Sequence, residues 1–170
     1  MFEYLEHFPR IIVTGPQRSG TTVAAAMISA DLGHELCLED RIRVYELQRV
    51  RQLFLNGTPF VLQAPGICRY VHMLSAPDVA IVLMRRDVKD IVTSEKRIKW
   101  FGSVHNKQEL ERYGLAEGNI AEVKYQYWDG TQRELIHNPF EVEYESLVAH
   151  PMWIPREGRV GFRSRQYKHA

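Results

Sequence analysis

Cysteine is nearly absent: Cys37 and Cys68 are the two in 170 residues, with no CxxC spacing and no histidine cluster beside them. That spacing offers neither a disulfide framework nor a thiolate metal site, so both are expected to be small buried apolar residues. Long apolar runs are missing too. The stretch from Val23 to Leu32 is short and contains Asp31, which gives no basis for a membrane span or anchor. An excess of charge of either sign is lacking: 22 Lys plus Arg against 21 Asp plus Glu leave a net charge of +1. Bulk nucleic-acid binding draws on many phosphate contacts and is not expected, and any basic site must be local. The first seven residues, MFEYLEH, carry two acids where a secretory leader carries positive charge, so a cytoplasmic location is expected. Oligomeric state is left open by this charge balance.

What is present is enough apolar sequence, 45% of residues, for a single domain of residues 1–170 with one core. A chain this long buries roughly 70% of the surface its unfolded form exposes, without metal or disulfide staples. The runs Arg10 to Thr14 and Val79 to Met84 read as buried parallel strands, with a third at Phe60 to Gln63. Amphipathic segments at Thr21 to Leu32, Arg41 to Leu55 and Ile67 to Leu74 lie between them. This alternation predicts an α/β fold with a central parallel sheet flanked by helices. Asn106 to Leu135 is helical in pattern but interrupted by Gly114, Gly118 and Gly130, which favours two helices. Phe140 to Tyr144 alternates as a strand, and Glu145 to Ala149 turns helical before Pro151 stops it. The sixteen residues from Pro155 carry five basic side chains and one acid; by composition alone they are equally a solvated end.

The sharpest local signal is Gly15-Pro16-Gln17-Arg18-Ser19-Gly20-Thr21-Thr22, after the first strand and opening the first helix. Two glycines permit a tight path, successive N–H groups turn inward, and the helix N-terminus adds positive potential for an anion. A nucleoside-triphosphate loop has Lys after its second Gly, whereas here Thr21 stands there. Arg18, inside the loop, can supply the missing charge. A second signal follows the Val79 strand: Arg86 at the strand's carboxyl end, then Asp87, Asp90 and Ser94 at helical spacing. An Arg with a hydroxyl makes a phosphate clamp, although Arg and Asp at a helix start also form ordinary surface ion pairs.

Together the two segments resemble the sulfotransferase superfamily, which binds 3′-phosphoadenosine 5′-phosphosulfate (PAPS) on a P-loop-like, three-layer fold. GPQRSGTT looks like its 5′-phosphosulfate loop, and RDVKDIVTS looks like its 3′-phosphate motif of an Arg followed eight residues later by Ser. The resemblance implies cofactor contacts from Arg18, Ser19, Gly20, Thr21, Thr22, Arg86 and Ser94. EYESLVAHP resembles the family's late Tyr-Glu-x-Leu…Pro segment, which adds Tyr144. Val160 to Arg165 is similar to the run that closes over the cofactor in tyrosylprotein-type members, which adds Ser164 and Arg165. Larger relatives carry extra helices where only about eight residues separate Pro151 from Val160.

The implied reaction is attack of a hydroxyl or amine on sulfur, with adenosine 3′,5′-bisphosphate leaving. Arg18 and the loop N–H groups would stabilise the charge that develops, without a metal. Arg85 and Arg86 follow the Val79 strand where a magnesium-binding carboxylate would otherwise stand, which favours sulfuryl over phosphoryl transfer. Glu39, in a segment resembling the acidic stretch of tyrosylprotein-type members, is the expected general base. Asp40 is the alternative, and the pair also reads as a plain helix cap. His34 and His72 are weaker candidates. Gln63 stands where many relatives have Lys; it can donate a hydrogen bond but brings no charge. The rival readings are a P-loop nucleotide or nucleoside kinase using ATP and magnesium, and a non-catalytic nucleotide-binding module. The acceptor-facing stretches, Glu39 to Leu55 with Lys99 to Arg112, carry no diagnostic pattern, so peptide, sugar, lipid and small-metabolite acceptors all stay open.

Overall fold

Short apolar runs buried on both faces decide the architecture. The computed structural model describes residues 1–42, 47–97 and 133–154. Five strands, β1 (Arg10–Thr14), β2 (Glu35–Leu38), β3 (Phe60–Gln63), β4 (Val79–Arg85) and β5 (Pro139–Glu143), form one sheet in the order β2-β3-β1-β4-β5. Every pairing is parallel, with Ile12 opposite both Leu62 and Ile81.

Successive residues of the central strands feed two separate cores. Ile11, Val13, Val61, Ala80, Val82 and Met84 pack with Val23, Met27 and Ile28 of helix α1 (Thr21–Leu32) and with Phe2 and Leu5. Ile12, Leu62, Ile81 and Leu83 face the other way, onto Val50 of α3 (Leu47–Leu55) and onto Ile67, Val71 and Leu74. Burial on both faces is why these strands read as continuous apolar runs. The result is the three-layer α/β arrangement expected from the sequence. The short helix α2 (Glu39–Ile42) follows β2, and α4 (Val88–Arg97) follows β4.

Several local expectations are corrected. β2 was not anticipated; its four residues are recruited by parallel pairing with β3. Pro65–Leu74 winds as a 3-10 helix instead of an α-helix, and so does Tyr144–Ala149. β4 runs one residue further than expected, to Arg85. Of the helical segment expected from Asn106 to Leu135, only the 3-10 turn Arg133–Leu135 falls within the described residues. The segment carrying Ser164 and Arg165 lies outside them. Cys37 is buried, as expected, whereas Cys68 is half-buried, and burial together with the nearby Glu35 pushes the Cys37 thiol up to about 11. No helix among the described residues is long and apolar enough to cross a membrane.

Candidate anion site at the carboxyl ends of β1 and β4

In the order β2-β3-β1-β4-β5 the chain leaves β1 towards one edge of the sheet and β4 towards the other. The crevice outside the carboxyl ends of those two neighbours is where an open parallel sheet takes a ligand. Both sequence signals sit there. The loop after β1 passes close to the end of β4, so close that a Cβ on Gly15 would lie 2.8 Å from the Met84 carbonyl oxygen. Inside the loop Ser19 donates to the Pro16 carbonyl through its N–H (3.1 Å) and through its hydroxyl (2.6 Å). The Ser19 side chain is thus a buried brace of the loop, and its hydroxyl is already engaged.

Arg18 adopts a left-handed backbone with φ 69°. Such a conformation costs a residue with a Cβ on the order of 1 kcal/mol, and it collects at ligand-handling loops. Its guanidinium Nε donates to Ser94 Oγ at 3.2 Å, while its carbonyl accepts from Arg86 Nη1 at 2.9 Å. Loop, strand end and α4 are joined by these two contacts. Asp87 caps the start of α4, its carboxylate accepting the Lys89 N–H at 2.7 Å. Asp87 and Asp90 are exposed, whereas Ser94 is buried against the loop, so the three do not share one environment despite their spacing.

Tyr144 completes the cluster. The Arg86 guanidinium lies over its ring, 4.1 Å from the centroid, and Trp153 meets the ring edge-on at 5.5 Å. Gly20, with φ 98°, packs against the same ring: a Cβ there would fall 2.3 Å from Tyr144 Cδ2. Sequence reasoning named Arg18, Gly20, Arg86, Ser94 and Tyr144 separately, and the structure brings all five together. Trp153 was missed, since a lone aromatic after Pro151 carries no motif.

Glu39 lies on the neighbouring side, at the end of β2. Its carboxylate accepts the Gly66 N–H at 2.9 Å. Burial pushes the Glu39 carboxyl up from its ordinary value, the Gly66 bond partly opposes this, and Asp40 adds to it. Asp40 itself is exposed. Thr21 is buried at the first turn of α1 and its hydroxyl accepts from Gln63, so it is held inside the fold, while Thr22 is half-buried. Both ring nitrogens of His34 lie 3.1 Å from backbone carbonyls, of Leu32 and Phe8, which is a structural setting.

No protein family matches the chain, and no curated protein does. Among solved structures it is similar to a shikimate kinase from Acinetobacter baumannii in complex with shikimate, with a TM-score of 0.56 and 17% identity. The match covers 82% of this chain and 87% of that one. A likeness at that identity carries the fold: a parallel α/β domain shared with a P-loop kinase.

Proposed function

We propose that the chain is a small sulfotransferase that takes its sulfuryl group from PAPS. The observation that carries the reading is the convergence of Arg18, Arg86 and Ser94 at one point beside the β1 loop. Arg86 with the Ser94 hydroxyl suits a phosphate, and Arg18 with the loop N–H groups and the start of α1 suits a second anion nearby. A nucleotide bearing both a 3′-phosphate and a 5′-phosphosulfate needs two such sites. Arg86 and Ser94 would hold the first, Arg18 and the loop the second. PAPS supplies an activated sulfur whose bond to the phosphate oxygen breaks as the acceptor oxygen or nitrogen bonds to it. The Glu39 carboxylate takes the acceptor's proton, and its burial moves it towards the neutral range where a carboxylate base works best.

A second reading, phosphoryl transfer from ATP with magnesium, is favoured by one observation: a solved structure that shares the fold is a kinase. Against it stands Thr21 in the place of the lysine that reaches the β and γ phosphates, its hydroxyl turned to Gln63. Calorimetric titration with adenosine 3′,5′-bisphosphate, beside ATP with magnesium, separates the readings. Metal-independent binding of the bisphosphate is expected. Preference for ATP and magnesium would turn the assignment to a kinase, and binding of neither would leave a non-catalytic module.

A further inference from the structure

Gln63 ends β3 between two strands, in register with Val13 of β1 and Leu38 of β2. Its side chain is 6% exposed. A buried primary amide must place both its donor and its acceptor, and here they go to different elements. Nε2 donates to Thr21 Oγ1 at 3.3 Å, and Oε1 accepts the Glu39 N–H at 3.4 Å. Both contacts are long for hydrogen bonds and individually weak. The second hold on Glu39 is shorter: the Gly66 N–H, three residues beyond Gln63, donates to the carboxylate at 2.9 Å. The end of β3 therefore grips Glu39 at its main chain, and the 3-10 helix that follows grips it at its carboxylate. The same amide reaches the first turn of the helix that opens from the phosphate-type loop. A lysine at 63 would serve Thr21 but has no acceptor for the Glu39 N–H.

We propose that Gln63 is a positioning residue, a clamp that fixes where the Glu39 carboxylate sits relative to the loop between β1 and α1. The role assigned to Glu39 rests on the sulfotransferase reading; the clamp itself does not. Gln63 touches no substrate in this scheme and acts through Glu39 and Thr21. Its loss releases the Glu39 main chain and leaves the carboxylate on the Gly66 N–H alone, a single hold from which it shifts towards water, where the burial that raises its titration is relieved.

The test follows the Glu39 side-chain carboxyl by carbon NMR titration of the full chain, with Glu39→Gln assigning the resonance. Gln63→Met removes both ends of the clamp in a side chain of similar length, and Thr21→Val removes its anchor. Each is expected to lower the Glu39 midpoint towards the usual glutamate range. Thr21→Ser, which keeps the hydroxyl, is expected to retain the wild-type midpoint. An unchanged midpoint in both Gln63→Met and Thr21→Val overturns the proposal, as does a Thr21→Ser shift equal to that of Thr21→Val. Adenosine 3′,5′-bisphosphate affinity is expected to stay within about threefold of wild type in Gln63→Met, about 0.65 kcal/mol. A loss as large as that of Arg86→Ala would make Gln63 part of the binding site and overturn the clamp. If wild type binds no bisphosphate, the sulfotransferase reading fails while the NMR titration still decides the clamp.

Discussion

The Arg18 guanidinium donates to Ser94 across 76 residues of sequence, from the loop after the central strand to the helix after β4. Each residue belongs to a different anion-binding signal, and the bond makes them one surface. Because Arg86 also holds the Arg18 carbonyl, the loop's left-handed turn is fixed from both sides.

The 3′-phosphate assignment is tested at Arg86. Arg86→Ala is expected to weaken adenosine 3′,5′-bisphosphate by roughly ten- to a hundredfold, the scale of one or two charge-assisted hydrogen bonds. Adenosine 5′-phosphate, lacking the 3′ group, is expected to lose far less. Equal losses by calorimetry would move the 3′-phosphate away from Arg86.

Arg18→Gly separates fold from function. Glycine relieves the positive φ but forfeits the Ser94 bond, so stability is expected to stay within about 1 kcal/mol, a melting shift of about 2–4 °C at most. Release of adenosine 3′,5′-bisphosphate from PAPS is expected to fall at least about a hundredfold. Unimpaired release would place the charge-stabilising role elsewhere.

Glu39 makes stability depend on pH with a definite sign. Burial raises its folded-state carboxyl above its unfolded value, so the folded chain binds a proton that the unfolded chain has released. Its favourable contribution is complete below the ordinary glutamate range and is lost as pH rises through the folded midpoint. Glu39→Gln keeps an acceptor for the Gly66 N–H without the charge. Its melting temperature is expected to gain on wild type as pH rises above the ordinary glutamate value of 4.5, while PAPS turnover falls. Parallel melting curves over that rise would refute the burial argument, and full turnover would shift the base to Asp40.

Gly20→Ala should be among the most damaging one-atom changes. The new Cβ meets the Tyr144 ring and the backbone at φ 98° is strained for any L side chain. A loss of roughly 2–4 kcal/mol is expected in denaturant unfolding. Combining it with Tyr144→Ala should recover part of the loss, and strict additivity of the two changes would deny the contact.

The boundaries of β1 and β3 and the full length of α1 were legible because short continuous apolar runs bounded by Gly, Pro or charge leave little choice. β2 was not: Glu35–Leu38 is four residues with an exposed first position, too short for periodicity, and it becomes a strand only because β3 offers a parallel edge. Pro65–Leu74 places Ile67, Val71 and Leu74 inward, a spacing that over two turns does not distinguish a 3-10 helix from an α-helix. At the site, the identity of Arg18, Arg86 and Ser94 was readable from motif spacing, but not that the Ser19 and Thr21 hydroxyls would be engaged inside the fold. The choice between sulfuryl and phosphoryl transfer is not made by topology, which this chain shares with a solved kinase structure. It turns on single side chains.

The strand order also shapes how the chain reaches this state. β1 precedes the other four strands of the sheet in chain order and is the central one, yet the partners for its two edges begin only at Phe60 and Val79. Arg10–Thr14 is apolar and unpaired on both edges until some fifty to seventy further residues exist, and pairing it then means closing long loops. Slow folding and adhesion of nascent chains through this segment are the expected failure modes when synthesis outpaces assembly. The strand that anchors the phosphate-type loop is thus also the point at which folding of this chain is most exposed to error.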